Sequence, residues 1–441
     1  MPIRDLRPQG SQASPRDRRR APRKRVVSTV AIVSTVAMAG VLAIGAIGMA
    51  SATDWPQFRG LHRDGISPEV HLIKTWPAAG PHVLWRVPIG EGYSHLAVTG
   101  GKVYTLFDSG NDQLLGAFDA ATGKRVWALR IDSRFPNDQG NGPRSTPTLD
   151  QGLVYALSAQ GRLVAAQAAS GQKVWEHDLA KELDARSPQW GISSSPLVEG
   201  DLLLVAAGGS RGRSIAAFQK RDGKLAWTAL DDPAGYAAPI AFTSGGVRQV
   251  VFLTGIAMVS LSPQDGKLLW RVPWETSYGV NAATPIFVAP DRIYVSSGYD
   301  TGAGVFRLKS SNGQVSAEPL WKSRVLKNQF SSSLLLGDYL YGFDNGTFKC
   351  VDIRNGEEKW RQRGLGQGSL ILADGRLLVL SETGRLLIVD ATPAGYVERA
   401  SFQALSGRCW TGPSLADGVL YLRNAENMMA IDLAEGRTKN V

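Results

Sequence analysis

The side chains best able to hold a metal or form a covalent intermediate are few in this 441-residue chain. Its five histidines, His62, His71, His82, His95 and His177, lack the close spacing a zinc or iron site draws on. Its two cysteines, Cys350 and Cys409, stand 59 residues apart. They read as buried free thiols, with a disulfide as the alternative. No nucleophile elbow, phosphate loop or dinucleotide fingerprint occurs in a usable strand–turn–helix context.

A second group of residues carries binding chemistry. Tyr93 and His95, Arg144, Trp190, Tyr236, Tyr278 and Asn281, Asn328 and Gln329, Gln367, and Arg408 and Trp410 all lead into short stretches of small residues. Five aromatics, two arginines and several amides suit a ligand or peptide site if those stretches converge. A solvated rim with ordinary packing is the alternative. The elements that position them decide whether they meet.

Those elements repeat. "FDAATGKRVW" (118–127) returns in degraded form, ending at Trp175, Trp227, Trp270 and Trp360, each time with glycine four residues before the tryptophan. A looser copy runs from Gly313 to Trp321. The glycines at 123, 171, 223, 266, 313, 356, 395 and 436 recur every 39 to 52 residues. That period, with four short β-rich runs per unit and no long amphipathic helix, predicts propeller blades.

Pro147, Pro196, Pro239, Pro285 and Pro413 recur at one position in the small-residue first strand. Proline donates nothing to a ladder, so this strand is an edge, as the innermost strand of a blade is. Eight such strands occur, near Ser94, Ser145, Ser194, Ala237, Ala282, Ser332, Ser369 and Thr411. "HVLWRV" (82–87) is a surplus fourth strand at the start, and the last unit lacks one. The chain is therefore expected to be an all-β, eight-bladed propeller of four-stranded blades, closed by the N-terminal strand entering the last blade.

"AFDAATGKRVW" (117–127) resembles the tryptophan-docking repeat A-x-D-x-x-T-G-x-x-x-W of the PQQ-like, or quinoprotein-type, β-propellers. Other units match partly: Gln167, Gln219 and Ser262 replace the aspartate. The resemblance covers roughly residues 82–441, and "DWPQFRGLHRDGIS" (54–67) resembles the N-terminal stretch of envelope proteins that carry this propeller. It implies that Trp85, Trp127, Trp175, Trp227, Trp270, Trp321 and Trp360, with Phe402 in the eighth place, dock between blades. Ligand stacking is the alternative role. It also implies a choice of function, because one fold hosts many. PQQ dehydrogenases need a catalytic aspartate, carboxylate and amide ligands for calcium, and often a disulfide between adjacent cysteines. The calcium-ligand pattern and the adjacent-cysteine clasp are not recognisable here. The expected function is a non-catalytic cell-envelope scaffold for protein or peptide partners, similar to the propeller subunit of the outer-membrane β-barrel assembly machinery. No cofactor or metal is expected. The alternative is an oxidoreductase holding PQQ with calcium at the channel mouth.

Charge adds a location. The formal net charge is +10, but residues 1–25 supply +7 of it. The remainder is near neutral, which argues against nucleic acid as a partner. After this basic tail comes the apolar run 26–50 and then Ala50-Ser51-Ala52, so residues 26–52 read as a signal anchor or a cleaved signal peptide. Basic residues stay cytoplasmic, which places residues 53–81, an extended N-terminal segment, and the propeller at 82–441 in the periplasm. The expected arrangement is anchorage in the inner membrane through residues 26–50; a cleaved, soluble periplasmic form is the alternative.

Overall fold

The computed structural model describes residues 53–437. The basic tail and the 26–52 signal lie outside the described residues. No helix among the described residues is long and apolar enough to cross a membrane.

Eight four-stranded antiparallel sheets form the blades of a propeller. Seven are continuous in sequence, spanning 97–133, 148–178, 197–229, 240–273, 286–323, 334–362 and 369–403. The eighth takes three strands from 414–432 and its outermost strand, His82–Pro88, from the other end of the chain. The closing strand gives the last blade the edge its own sequence lacks. The first strands are short, commonly three residues, because they converge on one axis. The recurring prolines stand one residue ahead of these strands rather than inside them, as at Pro147 before Thr148–Asp150. Without an N–H, proline delays the ladder by one residue.

The spacing of glycine and tryptophan has a direct geometric meaning. Trp127 at the outer strand of blade 1 donates its indole N–H to Ala168 O in the turn of blade 2, at 3.1 Å. The same bond joins Trp85 to Ala120, Trp175 to Lys220, Trp227 to Pro263, Trp321 to Ile353 and Trp360 to Thr392, at 2.8–3.2 Å. At five of these six joints the turn glycine lies against the same indole; at the sixth, below Trp360, Gly395 has open surroundings. A Cβ added at Gly171 would approach the Trp127 ring to 2.6 Å, and at Gly266 the Trp227 ring to 2.5 Å. Glycine is required there both by positive φ and by contact.

Two units vary the pattern. Trp270 donates within its own blade, to Gln249 Oε1 at 2.7 Å. Blade 5 has ten-residue strands, Gly302–Ser311 and Gln314–Ser323, and the open surroundings of Gly313 show that this turn lies away from any tryptophan. Phe402 meets Gly80, where a Cβ would come within 2.5 Å of its ring. Gly80 precedes the closing strand and takes the place of the turn glycine that the split blade cannot supply.

The N-terminal segment lies across the inner strands. Trp55 exchanges both backbone bonds with Val98 of blade 1, Pro56 O accepts from Leu149 N of blade 2, and Gly65 and Ser67 bracket Leu372 of blade 7. Glu69 accepts from Gly418 N of blade 8 at 2.6 Å. Between these anchors, Arg59 and Arg63 are buried. Arg63 donates to Ser195 O, Pro239 O, Pro196 O and Thr148 Oγ1, spanning blades 2 to 4. Arg59 donates to Ser332 O and Ser333 O of blade 6 at 3.1 and 2.7 Å. Residues 53–72 thus touch seven of the eight blades and plug one end of the central channel.

Candidate functional site

At the other end, the segments entering the inner strands surround a cavity of about 390 Å³. Each blade contributes because each inner strand is preceded by a loop that turns over the axis. Tyr93 and His95 line it from the approach to blade 1, Arg144 from blade 2, Trp190 from blade 3 and Tyr236 from blade 4. Gln329, Gln367 and Trp410 complete it from blades 6, 7 and 8. Phe58 of the plug also contributes, its ring edge-on to His95 at 4.7 Å. The plug therefore gives the cavity a blind floor.

Four rim candidates have other positions. Asn281 and Asn328 are fully buried. The Asn281 amide donates to Thr254 O and Trp274 O, both at 2.8 Å, and accepts from Ser297 Oγ. Asn328 donates to Phe343 O and accepts from Ser333 Oγ. Both amides are consumed in fixing loops. Tyr278 is 77% exposed, with φ of 63°, and meets Tyr299 edge-on. Arg408 lies outside the lining, 4.2 Å over the Trp410 ring, and donates to Gln139 O at 3.1 Å. That bond ties the approach of blade 8 to the loop between blades 1 and 2.

The lining is rich in donors and poor in negative charge. Arg144 donates to Gly142 O and Gly140 O at 2.7 and 2.8 Å and lies over the rings of Tyr93 and Phe135. Burial holds its pKa below the ordinary arginine value. His95 accepts from Gly412 N at Nε2, 3.2 Å, so its proton sits on Nδ1. Although part of its ring lines the cavity, burial, with Arg59 and Arg423, pushes its pKa down to about 3. It is neutral and serves as a structural member of the girdle. The Trp190 indole N–H is buried without a partner. No carboxylate lines the wall. Glu382 has both oxygens engaged, by Trp410 Nε1 at 2.8 Å and Gln367 N at 3.0 Å.

These residues do not fit calcium-bound PQQ. Calcium takes six to eight oxygens, largely from carboxylates. Among the described residues no group of three or more His, Cys, Asp or Glu could hold a metal ion. Cys350 and Cys409 are separate, buried thiols whose pKa values burial raises to about 11 and about 12, so neither is reactive.

Residues 78–189 and 111–362 match the family described as outer membrane protein assembly factor BamB. The chain belongs to this family. The outer membrane protein assembly factor BamB of Burkholderia pseudomallei is 23% identical over 379 residues, covering 71% of this chain and 89% of that one. The crystal structure of BamB from Moraxella catarrhalis aligns with a TM-score of 0.58 at 14% identity, over 80% of this chain and all of that one. A quinohemoprotein alcohol dehydrogenase from Comamonas testosteroni aligns with a TM-score of 0.59 at 12% identity, over 88% and 81% of the two chains. At these identities the structural likeness establishes the shared propeller.

Within this BamB-family propeller, the lining residues absent from the sequence reading are Phe58, Gln139, Tyr299 and Phe330, with small residues such as Ala238 and Ala282. Phe330 was within reach of sequence reasoning, since it adjoins Gln329 on the same approach. Tyr299 comes from a hairpin loop and Phe58 from the plug, so neither follows from the inner-strand register.

Proposed function

We propose that this protein is a non-catalytic scaffold of the cell envelope that binds a polypeptide partner through the rim around the cavity. The reading places the propeller outside the cytoplasm, held to the inner membrane by residues 26–50 or released after cleavage. The observation that carries it is the rim itself. Arg408 stands exposed over Trp410 and Tyr278 stands exposed against Tyr299, and arginine, tryptophan and tyrosine dominate binding hot spots. BamB-family membership supports the same reading, as does a lining without the carboxylates that oxidation through calcium-bound PQQ requires.

Photo-crosslinking tests it. A photoreactive phenylalanine analogue at Tyr278 or Arg408 of the full chain, irradiated in cells, is expected to trap a discrete envelope protein. The same probe at exposed Leu225, on the outer strand of blade 3, serves as the off-site control. Equal trapping at all positions, or none at the rim, refutes rim docking. Micromolar binding of PQQ with calcium would restore the oxidoreductase reading.

A further inference from the structure

The cavity holds unspent binding capacity beneath the rim. Arg144 is the one formally charged side chain that lines it, since His95 is neutral. No carboxylate lies within ion-pair distance of Arg144; Asp108 and Asp138 act on it only through space. Its two hydrogen bonds go to backbone carbonyls, which orient the guanidinium without neutralising it. A largely buried guanidinium without a carboxylate partner carries an uncompensated charge, and an anionic ligand relieves it. With Arg144, the rings of Tyr93, Tyr236, Tyr299, Phe330, Trp410 and Phe58 line the cavity.

Shape narrows the ligand. A cavity of about 390 Å³ is at the small end of small-molecule sites, and the plug makes it blind. It has room for one ring system and not for a helix or a strand pair. We infer that the cavity is a binding site for a small aromatic carboxylate, its ring among the aromatic walls and its carboxylate on Arg144. This is a separate site from the polypeptide-binding rim, and either can fail without the other. The chemistry has two sources: a free aromatic acid, or the C-terminal aromatic residue of a chain.

The test is calorimetric titration of the purified full chain with 2-naphthoate and with neutral 2-naphthamide. The acid is expected to bind at least about tenfold more tightly, as a charge-assisted hydrogen bond requires. Arg144→Gln is expected to abolish that preference. Because Arg144 also holds the 140–142 loop, Ala282→Phe provides a variant that fills the cavity from another blade and leaves Arg144 intact; it is expected to remove binding. A tripeptide ending in a free phenylalanine carboxylate, compared with its amide, assigns the source: tighter peptide than free-acid binding points to a chain end. Equal affinity for acid and amide, an acid preference that survives Arg144→Gln in a folded variant, or unchanged binding in Ala282→Phe overturns the inference. Rim crosslinking retained in Ala282→Phe separates this result from the scaffold reading.

Discussion

Arg63→Met examines whether the N-terminal plug holds the ring together. Methionine keeps most of the buried hydrocarbon and removes the guanidinium. Ser195 O and Pro239 O then lose their donor, while Pro196 O retains the Thr148 hydroxyl at 2.7 Å. An orphaned buried carbonyl costs about 1–3 kcal/mol, so the two together cost about 2–6 kcal/mol. Part of this is returned. Burial pulls the Arg63 pKa down to about 9, and no carboxylate offsets its charge, so removing the charge relieves a desolvation penalty. The expected net loss is about 2–3 kcal/mol, read as a shift in urea midpoint at unchanged slope. Limited proteolysis is expected to cut within 55–72 before the blades, since the anchors at Val98 and Leu372 are only short backbone bridges. A variant with the parent midpoint and an uncut N-terminal segment would refute the idea that Arg63 clamps blades 2 to 4.

Other expectations follow from the same contacts. Trp127→Ala should cost about 3–5 kcal/mol in denaturant melts, because it empties a packed interblade position; a loss below about 1 kcal/mol would contradict docking. Deleting residues 82–88 should expose the edge of Asn427–Asp432 and cause aggregation or a sharply lower melting temperature, whereas a monomer melting like the parent would make ring closure dispensable. Burial raises the Asp108 pKa to about 6, so its contribution to stability is full below its unfolded value near 3.8 and is lost as pH rises through about 6. Asp108→Asn should therefore gain melting temperature over the parent at pH 7.5 and lose that advantage at pH 4; a gap independent of pH would show that Arg134, 3.6 Å away, compensates the charge. Alkaline phosphatase fused after residue 60 should be active if the chain beyond the apolar run is exported, and an inactive, stable fusion would place the propeller in the cytoplasm.

The fold was legible because propeller physics repeats itself in sequence. Five turns set a glycine against the preceding blade's indole, so Gly123 and Trp127 announce themselves again as Gly171 and Trp175. The missing final strand and the surplus first strand carried the closure. The candidate site was legible only in part. Position before an inner strand places a residue near the mouth but leaves side-chain direction open. At Tyr93 and Trp410 that position suffices, since a large ring cannot fit among the packed inner strands. At Asn281 and Asn328 small amides turn inward, because tight loops leave backbone groups that need partners. The plug was invisible for a different reason. Arg59 and Arg63 sit in a polar, unrepeated stretch, and in sequence such arginines read as solvated. The carbonyls that bury them come from Ser195, Pro239, Ser332 and Ser333, which converge only after the ring has closed.

That dependence ties the plug to the cavity. An open central channel would let solvent reach Arg144 and the aromatic walls from both ends, and high-dielectric water weakens every charge interaction there. With Phe58 as the floor, the cavity is wet from one side only, and Arg144 is held in the depressed range by burial. The residues that fix Phe58 are its neighbours Arg59 and Arg63, acting on blades that Phe58 itself does not belong to. A substitution in the plug should therefore alter ligand chemistry at the opposite mouth without touching the wall. In Arg63→Met, a freed Phe58 would raise the polarity of the cavity, and the preference for 2-naphthoate over its amide should shrink while Arg144 remains in place. An unchanged preference in a variant whose plug is shown to be protease-sensitive would mean that the rim loops alone define the cavity, and that the plug serves stability only.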